Sequence, residues 1–149
     1  MTHGYSQARN LAWQVDRVDF MAGATYATTE NMSFQNGVTL GNYINVNIED
    51  EISGDFDDWV LTHPLFMHEY GHTIDSRGYG PSYLFTIGWS SLNSARTGYD
   101  LGGRNTHDWH WTELRANNNA SRYFQEHYPS VNWSNYTNFY EGRDYYPLV

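Results

Sequence analysis

Between Pro64 and Gly78 two histidines stand four residues apart, with a glutamate directly after the first: His68-Glu69-Tyr70-Gly71-His72. With seven His and seven Glu in 149 residues, a chain of this composition would contain the pattern by chance about 0.015 times. Chance is therefore a poor explanation. The spacing also restricts the local fold, because residues four apart project to one side only on a helix. Pro64 suits a first helical position and Gly78 the position just past a helix end, so a helix is expected over about 64 to 77. Phe66, Tyr70 and Ile74 recur every four residues on the other side. They should anchor the helix in a core while the histidine face opens to a cleft.

Two imidazoles on one helical face can reach a single ion, and Glu69 then points toward a water beside it as a general base rather than as a ligand. The chain has no Cys, which excludes thiolate metal sites, disulfides and Cys nucleophiles. A metal here must be held by His and carboxylate, and Zn2+ is the ion this donor set suits. A catalytic zinc needs a third protein ligand and one open position. The extended metzincin pattern would need Gly at 75 and His at 78, whereas the chain has Asp75 and Gly78. The segment Trp111-Thr-Glu113-Leu-Arg-Ala-Asn117 supplies a carboxylate on a second expected helix. We take Glu113 as the third ligand, with His110 and His107 as competitors for that place. His110 shares the Glu113 face and is also a candidate to stabilise a developing oxyanion. Asn117, one turn beyond Glu113, could accept the outer ring N–H of a ligating histidine and fix its tautomer. Asp75 is a further candidate acceptor for a ligand imidazole, or merely a residue near a helix end.

His68-Glu-Tyr-Gly-His72 followed by Thr112-Glu113-Leu-Arg-Ala-Asn117 resembles the gluzincin branch of the zincin metallopeptidases. More narrowly, His68 to Arg77 with Gly80-Pro-Ser-Tyr-Leu84 and Thr112-Glu113 to Asn117 is similar to compact metallopeptidase domains of bacteria. Such domains often form the carboxyl-terminal part of RHS-repeat or polymorphic-toxin-like surface proteins. The likeness covers roughly residues 37 to 120. It implies a small α+β domain, a twisted sheet packed on the helix of the motif and on a second ligand-bearing helix, with a strand near residues 37 to 48 lining the cleft. It also implies a zinc peptidase in which His68, His72 and Glu113 bind the metal and Glu69 and His110 serve catalysis. Two departures stand out: gluzincins commonly carry Asp at the place of Asn117, and the larger enzymes add a second domain.

The remaining segments are read from periodicity and composition. The chain is expected to form one domain over 1–149, the usual size for a single core. Leu11, Val15 and Val18 suggest a packing helix over 6 to 22, stopped at Gly23. Residues Gly37 to Ile48 alternate apolar and polar apart from a break at Gly41-Asn42, as one or two strands do. The acids from Glu49 to Asp58 read as a solvated loop, since the ligand spacing of a calcium loop is absent. The patch Tyr83 to Trp89 fits a helix or a hairpin, and a third helix is expected from Asp108 to about Tyr128, before Pro129.

Eight basic residues, all Arg, against seventeen acidic ones give a net charge of -9. That balance argues against a nucleic-acid partner and mildly favours basic or neutral substrates through steering. No apolar run approaches the roughly 18 residues of a membrane helix, and the amino end lacks the basic and apolar regions of a signal peptide. An extracellular or cell-surface location follows only if the chain belongs to a larger exported protein. The substrate expected is a peptide or protein. The rival reading is a metal-retaining, non-catalytic binding or toxin-associated module, with Trp109, Trp111 and Trp133 as an aromatic platform.

Overall fold

The computed structural model describes residues 15–80 and 111–135. Four strands, β1 (Arg17–Met21), β2 (Ala24–Thr29), β3 (Asn36–Leu40) and β4 (Tyr43–Asn47), precede three helices, α1 (Phe56–Thr62), α2 (Pro64–Tyr79) and α3 (Trp111–His127). A short 3-10 turn follows at Trp133–Asn135. The class is α+β.

The strands lie in the order β1-β2-β4-β3, with the central β2–β4 pair parallel and the outer pairs antiparallel. Both hairpins turn on two residues. Between β1 and β2 these are Ala22 and Gly23, both at positive φ (50° and 80°), as the turn that matches strand twist requires. Between β3 and β4 they are Gly41, at φ 67°, and Asn42, so the break at Gly41-Asn42 is a hairpin turn between two strands. After β2 the chain passes over one strand position to the edge, and the second hairpin returns β4 to the centre. Hydrogen bonds from Asn31 N to Asp50 O and from Met32 N to Ile48 O tie the β2–β3 connection to the segment after β4.

One face of the sheet is apolar and meets the helices. Met21, Ala24, Tyr26, Ile44 and Val46 pack there with Phe56 and Val60 of α1, Phe66, Met67 and Tyr70 of α2, and Ala120 and Phe124 of α3. Helix α2 packs on β3 and β4 on one side and on α3 on the other, forming the middle of three layers. Consequently its histidine face is buried as well as its apolar one: His68 and His72 are only 2% and 6% exposed. The face expected to open to a cleft is buried, and α3 packs against the helix that carries it. Phe66 and Tyr70 are buried as their spacing requires, and Ile74 is half-buried against the same core.

Three boundaries also differ from expectation. Residues 17–21, expected in a helix, form strand β1, and Gly23 is a hairpin turn rather than a helix stop. The earlier part of that expected helix lies outside the described residues. The acidic stretch ends in a helix rather than a loop, since the Asp55 carboxylate accepts from the N–H groups of Asp57 and Asp58 and caps α1. Helix α2 runs on through Gly78 to Tyr79, closing at Gly80, whose φ is 56°. Helix α3 agrees with the third expected helix from Trp111 onward; residues 108–110 and the patch 83–89 lie outside the described residues. Among the described residues no helix is long and apolar enough to cross a membrane.

Candidate metal centre

Helices α2 and α3 bring His68, His72 and Glu113 together. One potential ligand atom from each lies within 4.8 Å of the other two, and all three residues are buried. The Glu113 Oε2 atom faces both imidazoles, at 3.1 Å from His68 Nε2 and 3.3 Å from His72 Nε2. The rings stand edge to face with centroids 4.9 Å apart. Such a group could hold a metal ion.

The approach of the two helices depends on Gly71, the small residue inside the motif. A methyl group built there would overlap the backbone carbonyl of Ala116 on α3, so only glycine permits this contact. The contact in turn brings Glu113 up to both histidines. A second tie runs through Asp75, whose Oδ1 accepts from Arg115 Nε at 2.5 Å and from Asn119 Nδ2 at 2.9 Å. Both donors lie on α3, flanking Asn117.

Asn117 reaches the outer nitrogen of His68: Nδ1 and the amide Oδ1 are 2.7 Å apart. Assigning the proton to Nδ1, since Oδ1 can only accept, aims the other ring nitrogen at Glu113. His72 differs, because its Nδ1 is buried with no hydrogen-bond partner among the described residues. The electrostatics of the cluster favour a charged carboxylate. Burial works against the ionised form of Glu113, but hydrogen bonds and charge from His68 and His72 outweigh it and hold the carboxyl far below the usual range. Burial likewise disfavours charge on His72. The Glu113 hydrogen bond and the charges of Glu113, Glu69 and Asp75 outweigh that, so its pKa is raised.

Glu69 is held from the side of the sheet. Thr39 of β3 lies with its hydroxyl 2.6 Å from Glu69 Oε2 and 3.0 Å from the Glu69 backbone oxygen. Two residues earlier on the same strand, Gly37 lies so close that an added methyl would overlap the Glu69 carboxylate. Sequence reasoning missed both residues. The local signal was a glycine inside an alternating strand, which marks a close approach of another group. His110 and His107 lie outside the described residues, as does Trp109. Trp111 is half exposed, whereas Trp133 packs against the core and donates its indole N–H to Tyr128 O at 2.9 Å.

The chain matches no protein-family model, no curated protein and no solved structure.

Proposed function

We propose that the protein is a zinc-dependent metallopeptidase of gluzincin type, with His68, His72 and Glu113 as zinc ligands and Glu69 as general base. The observation that carries this reading is the donor set. Two imidazoles and one carboxylate converge in one buried group. Two His and one Glu are among the ligand sets of catalytic zinc sites. Two of the three separations agree as well. Ligand atoms at roughly 2.0–2.1 Å from zinc in a tetrahedral site lie about 3.3 Å apart, and the two Nε2-to-Oε2 separations are 3.1 and 3.3 Å.

When held by these residues, zinc supplies Lewis acidity to the scissile carbonyl and to water. Glu69 does the proton work. A carboxylate oxygen takes the proton of the attacking water as the carbon–oxygen bond forms, and returns it to the amine nitrogen as the peptide bond breaks. Strand β3 is an edge strand, paired among the described residues only with β4. Its free edge suits an extended peptide added as a further strand, and Thr39 and Gly37 place that strand beside Glu69. His110 is assigned to the developing oxyanion. The rival aromatic platform is weakened by Trp133, which is engaged in the core.

The test is zinc content by elemental mass spectrometry, for the wild type and Glu113→Ala together. About one zinc per chain in the wild type and a clear loss in the variant are expected for a site with three protein ligands. Hydrolysis of an unfolded protein such as casein follows, with Glu69→Gln as control. That variant should keep its zinc and lose activity. A wild type that takes up no zinc after reconstitution would sink the proposal.

A further inference from the structure

Within this buried centre the two histidines are served unequally. His68 has its outer nitrogen on Asn117 at 2.7 Å. Among the described residues His72 Nδ1 has no hydrogen-bond partner, and neither does the second oxygen of Asp75, Oδ2. One is a potential donor and the other a pure acceptor. They belong to residues three apart on α2, hence on neighbouring positions of one helical face. Buried polar atoms without a partner are few in a native structure, and two on one helical face call for an explanation. Asp75 is 2% exposed, and its other oxygen is already held by Arg115 and Asn119 of α3. A buried carboxylate held firmly by one oxygen, with the other left over, is a built feature of the helix pair.

We infer that Asp75 is the positioning residue for His72, its Oδ2 accepting the Nδ1 proton of that imidazole when a metal ion occupies the centre. This rests on the metal reading above. The reason lies in the tautomer. His72 Nε2 is the ring nitrogen that faces Glu113 Oε2, and so the one placed to ligate. A ligating Nε2 must offer its lone pair, which moves the proton to Nδ1. There it requires an acceptor, and Asp75 Oδ2, three residues on along the same helix, is a buried acceptor with no donor among the described residues. The two ligand histidines would then be oriented by different groups: a neutral amide for His68 and a carboxylate for His72. A carboxylate partner makes an imidazole the more basic ligand. That compensates within the same site for Asn117 standing where gluzincins commonly carry Asp.

The test is zinc affinity by competition with a fluorescent chelator, using full-length wild type, Asp75→Asn and Arg115→Met. Loss of an outer partner of this kind weakens metal binding about 10- to 100-fold, and Asp75→Asn should show that loss. Arg115→Met removes the tie to α3 but leaves Oδ2 in place, so it should lower stability and cost clearly less zinc affinity than Asp75→Asn. Equal affinity in wild type and Asp75→Asn would overturn the inference. So would an equal loss in Arg115→Met, since Asp75 would then act only through helix packing. NMR of the wild type alone decides the matter if Asp75→Asn fails to fold. A slowly exchanging His72 Nδ1 proton should appear on zinc loading, and a rapidly exchanging one would overturn the inference. Wild type that binds no zinc would instead sink the metal reading itself.

Discussion

The Glu69 carboxylate is 4% exposed, and its surroundings come from a strand thirty residues away. Thr39 gives one of its oxygens a hydrogen bond, and Gly37 gives the carboxylate room. Gly37→Ala forces the side chain to move, because the new methyl has nowhere else to go. None of the three proposed ligands is touched, so zinc content should stay at the wild-type level. Hydrolysis should fall by roughly 100-fold, the penalty for displacing a catalytic group by about 1 Å. Loss of zinc in this variant would show that β3 supports the ligands rather than the base. Thr39→Val removes the hydroxyl and leaves a buried carboxylate oxygen without that donor, a cost of about 1–3 kcal/mol. Chemical denaturation should show it, with Thr39→Ser close to wild type.

For the elements, the decisive contact is that of α2 with α3 at Gly71. A methyl group meeting the Ala116 carbonyl must separate the helices, and overpacking of this kind costs about 1–3 kcal/mol. Gly71→Ala should therefore lose stability and zinc affinity together, read by denaturation and chelator competition. Stability lost with zinc affinity intact would mean that Glu113 reaches the histidines independently of helix spacing. The same helices explain what was legible in the sequence. Helix α2 carried a proline start and a four-residue repeat, and α3 an uninterrupted run ending before Pro129. Their ligand spacing is written along single helices, so His68, His72 and Glu113 could be read from local order. Strand β1 could not, because Val15 and Val18 fit a helical period and Gly23 ends a helix or turns a hairpin equally well. Helix α1 is only seven residues long with two buried side chains, so its acids concealed it. Thr39 and Gly37 were invisible for another reason: contact across thirty residues depends on sheet order, and local pattern does not encode it.

At the scale of the whole molecule, contacts away from the three donors join the helices that carry them. The aromatic and aliphatic core joins the sheet to α1, α2 and α3, the Gly71 contact sets the helix spacing, and Asp75 links to Arg115 and Asn119. Glu113 is meanwhile held by both imidazoles. The metal-free protein should therefore be folded, unlike small zinc domains whose order depends on the ion. Zinc that binds only the native state adds stability by mass action, about 4 kcal/mol at a thousandfold excess over Kd. At this chain length each kcal/mol moves Tm by about 2–4 °C, so loading should raise Tm by roughly 10 °C. Calorimetry with and without a chelator measures this, and circular dichroism reports whether the native helix content survives metal removal. Glu113→Ala should show a much smaller zinc-dependent shift, because two imidazoles alone bind weakly. Native signal that vanishes on chelation would mean that the ion organises the helices, and that Gly71 and Asp75 only follow.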